Sequence, residues 1–504
     1  MTTILRVMLA LAAGYVVILL AGYFFEAYGV KRHHVESACF ILAAIALVGT
    51  LSLKAGDSPP PTTRGAGVAV AAVLLGTAAY WRALGVGFLS DDYVLRSWVL
   101  AGHLNWVDSH LARPVALALW RAVFILGGGA RSLHLVNVTL HVTNTILAGG
   151  LAARLGLGRA GVVVASTVFL LWPTQVEPVV WSAGVFDVLA TTWMLSALLI
   201  CMRDDPLLRT DLDAVLVCGL SGLSLLTKES AVALPVLALT AMLFRPAHRA
   251  GSRRQIVLFV SIACSTAAYM CWRVWAHLPV TGTSGVTRYV GKEQLSRTFG
   301  ALALPFADES IHAYPLLAFG IAAGITVLAT ASVVGADRRS RGHVIVVKGL
   351  VWCVVAAAPT LGLLFIGPYL DGSRYLYLAA LGWGLALGGV LEALWSHRVL
   401  RSAAIAVIAS LCVAAAVEQQ RRLTDWLGAA AERDRIIADA SRLAKEGAKD
   451  AQCGSISASN LPPRFRGAQL FTNGFAEAID DARGPSASSR HCAWTWTGVA
   501  FRQE

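Results

Sequence analysis

Runs of about 20 apolar residues recur along the chain, each as long as a helix must be to cross a ~30 Å hydrocarbon core at about 1.5 Å per residue. Val7 to Phe25 and Tyr314 to Gly335 are two such runs. A core helix of a water-soluble protein does not need that length. Of the 504 residues 56% are hydrophobic and 14% charged, so charge is concentrated in the short stretches between runs. The expected fold is an all-α polytopic membrane protein.

Apolar runs place spans near 5–28, 36–53, 66–84, 134–153, 160–172, 179–202, 212–226, 230–244, 255–277, 314–335, 346–366, 374–394 and 400–418, about thirteen in all. The runs at 160, 212 and 230 are short for spans and suit tilted, broken or re-entrant helices. Pro114 to Leu126 is left out because Arg121 sits near its centre, and an arginine at mid-bilayer costs about 2.5–3.5 kcal/mol. Residues 85–133 are therefore expected to form a long outer loop carrying helices at the membrane surface.

The formal net charge is +12, which by itself is compatible with nucleic-acid binding. Its distribution argues against such a partner. Arg154 with Arg159, Arg245 to Arg254, Arg338 to Arg341, and Arg398 with Arg401 fall in short loops, the pattern of cytoplasmic connections. This orientation puts the N-terminus inside and residues 419–504 outside, although the Lys31 to His34 cluster then lies on the outer side. Three units follow: residues 1–64, two extra helices and a Pro-rich cytoplasmic linker; residues 65–418, the main helical bundle; and residues 419–504, a small extracytoplasmic region. Of the nine cysteines, Cys453 and Cys492 lie in that last region, where an oxidising compartment permits a disulfide.

On this topology the unusual polar residues collect at one membrane face. Asp91 and Asp92 open the long loop, and Arg113 follows within it. His134, Asn137 and His141 share one helical face by their spacing. Glu177 lies in the turn Trp172-Pro-Thr-Gln-Val-Glu-Pro178, Asp187 is set into the next span, Lys228 and Glu229 share a turn, and Arg374 and Tyr375 belong to Asp371-Gly-Ser-Arg-Tyr-Leu-Tyr377. Adjacent acids can hold a divalent cation such as Mg or Mn, or divide the work of a general base; a solvated turn looks the same. Arginine and lysine suit a phosphate, and they also snorkel at interfaces. Asp187 inside a span marks a cavity or a structural ion pair. The histidine face suits substrate contacts or hydrogen bonds between helices.

In order along the chain, Ser90-Asp-Asp-Tyr93, Arg113-Pro114, His134 to Asn144, Trp172-Pro-x-x-x-Glu-Pro-x-x-Trp181 with Asp187, Leu225-Leu-Thr-Lys-Glu229 and Arg374-Tyr-Leu-Tyr377 resemble the GT-C glycosyltransferases. Within them the chain is similar to the polyprenyl-phosphate-sugar-dependent group of protein O-mannosyltransferases and transmembrane cadherin-type mannosyltransferases. It departs from that group in carrying Trp172 where a histidine usually precedes the proline, Phe186 where a basic residue often precedes the span acid, and two additional leading spans. The resemblance implies a GT-C-like bundle in an inner cell membrane, with the active site on the extracytoplasmic face. It also implies inverting transfer of one sugar, a mannose-like hexose, from a polyprenyl-phosphate donor to a protein or glycan acceptor. Asp91 is then the expected base, Asp92 its partner or a metal ligand, and Arg113, Lys228 and Arg374 the phosphate site. A lipid-linked-saccharide ligase is the nearest alternative. A transporter or flippase of lipid-linked sugars is another, but one needs polar groups near the midplane and paired broken helices.

Overall fold

The computed structural model describes residues 64–102, 112–203, 206–207, 209–243, 253–278, 292–304, 306, 341–361, 366–446, 455–483, 491–498 and 500–503. The spans expected near 5–28, 36–53 and 314–335 lie outside them. The helices are α1 (Arg64–Tyr80), α2 (Asp91–Leu100), α3 (Pro114–Ile125), α4 (Ala130–Arg154), α5 (Arg159–Leu171), α6 (Val176–Val180), α7 (Val185–Cys201), α8 (Thr210–Thr227), α9 (Leu234–Leu243), α10 (Arg253–Trp275), α11 (Lys292–Ala303), α12 (Arg341–Leu361), α13 (Ala379–Ala393), α14 (Arg398–Glu446) and α15 (Phe475–Arg483). Among the described residues six helical segments are long and apolar enough to cross a membrane: Ala130–Arg154, Ser182–Cys201, Thr210–Thr227, Arg253–Trp275, Gly342–Thr360 and Arg398–Leu443. A seventh is formed if α5 and the segment Pro173–Val180, bent from it by 49°, count as one span. The chain is thus a multi-pass helical membrane protein.

The break after α5 is written into the sequence. Pro173 cannot donate to the preceding turn, and Trp172 before it takes an extended conformation with ψ 131°. The chain then runs through two short 3-10 turns and α6 before α7 begins. Gly184 closes this corner, where a Cβ would overlap the carbonyl of Pro178. The 374–394 span also begins later than expected: residues 373–376 form a 3-10 turn and regular helix starts at Ala379.

Small residues let neighbouring helices approach closely, the usual device where lipid removes the hydrophobic drive between helices. On α12 and α13, a Cβ on Gly349 or on Gly382 would come to 2.5 Å from the other's carbonyl oxygen. The α4 helix is held differently, by polar groups. Among them, Asn144 Nδ2 donates to the Val188 carbonyl of α7 at 2.8 Å.

Two expectations change at the C-terminal end. Helix α14 runs unbroken from Arg398 to Glu446, across the boundary expected at 418–419. The fold is also not wholly helical. Strand β1 (Ser455–Ser459) pairs in parallel with β4 (His491–Trp496), which pairs antiparallel with β5 (Phe501–Gln503), while β2 (Arg464–Phe465) and β3 (Ala468–Gln469) form a small hairpin. Alternate residues of β4, Cys492, Trp494 and Trp496, are buried. Phe501 packs beside both tryptophans, with ring centroids 5.7 and 4.8 Å away. This unit folds by ordinary sheet alternation against α15 and the C-terminal half of α14.

Cys492 is disulfide-bonded, and Cys453, its expected partner, lies outside the described residues. Peptide mapping without reductant is expected to recover a Cys453–Cys492 cross-linked pair. Two alkylatable thiols would contradict it.

Candidate functional site

Three acid–base pairs meet beside a cleft, each placed by a local break in helical structure. Arg113 stands at the N-cap of α3, ahead of Pro114 at the first helical position, where a missing N–H costs nothing. Lys228 ends α8 in an extended conformation, with φ −157° and ψ 135°. Arg374 lies in the 3-10 turn after Gly372, whose φ of +81° turns the chain without strain. These breaks bring side chains distant in sequence into one group.

The Arg113 guanidinium makes a fork with Glu229, donating from Nε at 3.0 Å and from Nη2 at 2.5 Å. Lys228 donates to Asp187, and both side chains are almost wholly buried. Arg374 donates to Glu177 through Nη1 at 2.8 Å and through its backbone N–H at 3.2 Å. Aromatic faces hold the cations from the other side. Arg374 lies 4.6 Å from the Trp181 ring centroid and 4.7 Å from that of Tyr375, while Lys228 Nζ is 4.8 Å from Tyr375. Phe186, which stands where the resembled family often has a basic residue, supports Arg113 at 5.1 Å.

Charges in this cluster balance, three cations against three carboxylates, but not every donor is used. Among the described residues no hydrogen bond engages Arg113 Nη1 or Arg374 Nε, and Lys228 Nζ retains N–H groups beyond the one given to Asp187. Burial lowers the Lys228 ammonium from its ordinary range despite Asp187 beside it. Burial alone would raise the Glu229 carboxyl; the charge and hydrogen bonds of Arg113 outweigh it and hold the group below its ordinary value.

A small cleft of about 20 Å³ adjoins the pairs. Polar Asp187, Thr191, Ser230, Arg374, Tyr375 and Tyr377 line it together with apolar Ala190, Met194, Ala356 and Leu378. Cationic and hydroxyl groups in this lining offer donors to an anionic group. Because a buried charge left alone costs about 3–5 kcal/mol, Asp187→Asn should sharply lower the unfolding temperature in detergent. Adding Lys228→Met is expected to recover part of the loss; no recovery would mean that Asp187 acts otherwise than as the partner of Lys228.

The acidic pair sits on the neighbouring turn and does not line the cleft. Ser90, with φ 50° and ψ −120°, takes the first central position of a type II′ turn, a place normally held by glycine and worth about 1–3 kcal/mol of strain for another residue. Several contacts hold this strained turn. Asp92 Oδ2 accepts from Leu89 N at 2.9 Å and Oδ1 from Ala183 N at 2.8 Å. Arg433 of α14 donates to the Val86 and Phe88 carbonyls at 2.8 and 2.6 Å, and Trp181 Nε1 donates to Leu89 O at 3.2 Å. Trp181 thus touches both the acidic turn and Arg374.

This geometry corrects the expectation for Asp92. Both its oxygens are occupied by backbone N–H groups, and burial pushes its carboxyl well above the usual range against those hydrogen bonds. It does not fit a metal ligand. Among the described residues no group of three or more His, Cys, Asp or Glu is placed to hold a metal ion. Asp91, half-buried, accepts through Oδ1 from Asn473 and Ser90; its Oδ2 makes no hydrogen bond among the described residues.

His134, Asn137 and His141 share a face as expected, but that face is spent on packing. His134 Nε2 lies 3.0 Å from Gly87 O, Asn137 donates to Trp181 O at 2.7 Å, and His141 lies 2.8 Å from the Tyr377 hydroxyl and 3.1 Å from Leu170 O. Sequence reasoning missed Trp181 as a link, Tyr377 as the anchor for His141, and Asn473. The Trp181 and Tyr377 signals were present in the quoted motifs; nothing marked Asn473.

No family model matches the chain, and no curated protein matches it in sequence. Two solved structures are similar to it. One is ArnT from Cupriavidus metallidurans bound to undecaprenyl phosphate, 13% identical with a TM-score of 0.48, the match covering 86% of this chain and 93% of that one. The other is the archaeal oligosaccharyltransferase AglB from Archaeoglobus fulgidus in complex with an inhibitory peptide and a dolichol-phosphate, 13% identical with a TM-score of 0.42, covering 77% of this chain and 58% of that one.

Proposed function

We propose that the chain is a membrane glycosyltransferase that moves one sugar from a polyprenyl-phosphate carrier to an acceptor hydroxyl at the extracytoplasmic face. The observation that carries this reading is the convergence of Arg113, Lys228 and Arg374 beside a small cleft lined by polar and apolar side chains. The order of motifs resembling the polyprenyl-phosphate-sugar enzymes agrees with it. The disulfide at Cys492 favours an oxidising side for the C-terminal unit, and that unit touches the Asp91 turn.

In this mechanism Asp91 Oδ2 takes the proton of the acceptor hydroxyl as its oxygen attacks the anomeric carbon from the face opposite the phosphate. The carbon–oxygen bond to the carrier breaks, and its electrons leave with the lipid phosphate. Inversion follows from the single displacement. The unused donors of Arg113, Lys228 and Arg374 stabilise the charge that develops on the departing phosphate. Asp92 holds the turn, and a mannose-like hexose is the favoured sugar through the resemblance alone.

Binding of the product lipid tests the site without an acceptor. A polyprenyl phosphate at about 100 times its dissociation constant should stabilise the protein by about 2.7 kcal/mol, raising its unfolding temperature. The corresponding polyprenyl alcohol should give a much smaller shift. Equal shifts from alcohol and phosphate would overturn the assignment of the cations to a phosphate.

A further inference from the structure

The loop between β3 and α15 of the C-terminal unit meets the acidic turn. Ser90 N donates to Leu470 O at 3.0 Å, and Asn473 N donates to Ser90 Oγ at 3.3 Å. Gly474, with φ +81°, lets the backbones meet where a Cβ would overlap the Ser90 carbonyl. The Asn473 amide Nδ2 then donates to Asp91 Oδ1 at 2.7 Å. Arg96 of α2 and Asp481 of α15 add an ion pair at 2.5 Å along the same seam.

Resting on the reading of Asp91 as the base, we propose that Asn473 is a positioning residue that selects which Asp91 oxygen meets the acceptor. An aspartate carboxylate, on its single methylene, turns about the Cβ–Cγ bond unless one oxygen is held. The amide donor holds Oδ1, so Oδ2 is presented for proton transfer. The backbone bonds around Ser90 do not depend on the Asn473 side chain, so the turn keeps its shape when that side chain is shortened. The C-terminal unit thereby completes the catalytic turn.

The test is a double-mutant cycle on the full-length protein, with donor and acceptor varied separately. Asn473→Ala should lower kcat about tenfold, the loss expected for a hydrogen bond to a charged group, with donor KM unchanged. Asn473→Gln, which restores an amide donor, should recover part of that loss. In an Asp91→Asn background Asn473→Ala should change the residual turnover by less than about twofold, because the group it positions is gone. Normal kcat in Asn473→Ala, or the same fold-loss in both backgrounds, would overturn the inference while leaving the proposed reaction standing. Absence of turnover in the wild-type protein would instead overturn the reaction, and this inference with it.

Discussion

Asp91→Asn is expected to reduce turnover by about 10² to 10⁴-fold while leaving donor binding nearly intact. The amide keeps the size of the side chain, and its oxygen can still accept the Asn473 donor at the Oδ1 position. What it loses is the ability to take a proton. Asp92→Asn should fail in a different way, because Asp92 holds the turn through Leu89 and Ala183. An amide nitrogen at either position would face a backbone N–H, so this variant should lose stability together with activity. The contrast is measured by single-turnover rate and by unfolding temperature in the same preparations. Retention of more than about a tenth of wild-type turnover in Asp91→Asn would remove it as the base.

Arg374→Ala carries the second large effect. Arg374 joins Glu177, the Tyr375 hydroxyl and two aromatic faces, so it is held rigidly in the lining of the cleft. Removing a charged hydrogen-bonding group is worth about 1.5–3 kcal/mol, so donor kcat/KM should fall about 10- to 150-fold. Acceptor KM should be unaffected. Arg374→Lys should restore little, because an ammonium cannot reach both Glu177 and the Tyr375 hydroxyl while offering Nε elsewhere. Donor kinetics equal to wild type in a monodisperse Arg374→Ala preparation would take this residue out of the phosphate site.

Six of the expected spans and the charged cluster were legible in sequence for the same physical reason: charge is costly in hydrocarbon, so it gathers where apolar runs end. Arg113, Glu177, Lys228, Glu229 and Arg374 all sit at such ends, and the structure pairs them. Which acid meets which base was not legible, because the three pairs span 116, 41 and 197 residues of chain. The His134–Asn137–His141 spacing gave a shared face correctly but not what that face meets, and the neighbours turned out to be Gly87, Trp181 and Tyr377. The strand at His491–Trp496 did leave a signal, the alternation of Cys492, Trp494 and Trp496, which was passed over beside stronger helical patterns. Asn473 left none. An asparagine in a polar loop becomes informative only when the fold brings it to Asp91.

The most direct measurement incubates the purified protein with a panel of polyprenyl-phosphate sugars and candidate acceptors and quantifies released polyprenyl phosphate. Release should appear with one class of sugar, depend on the acceptor, and drop by at least about a hundredfold in Asp91→Asn. Release that is unchanged in Asp91→Asn, or no release with any donor and acceptor while the protein binds the lipid phosphate, would contradict the account.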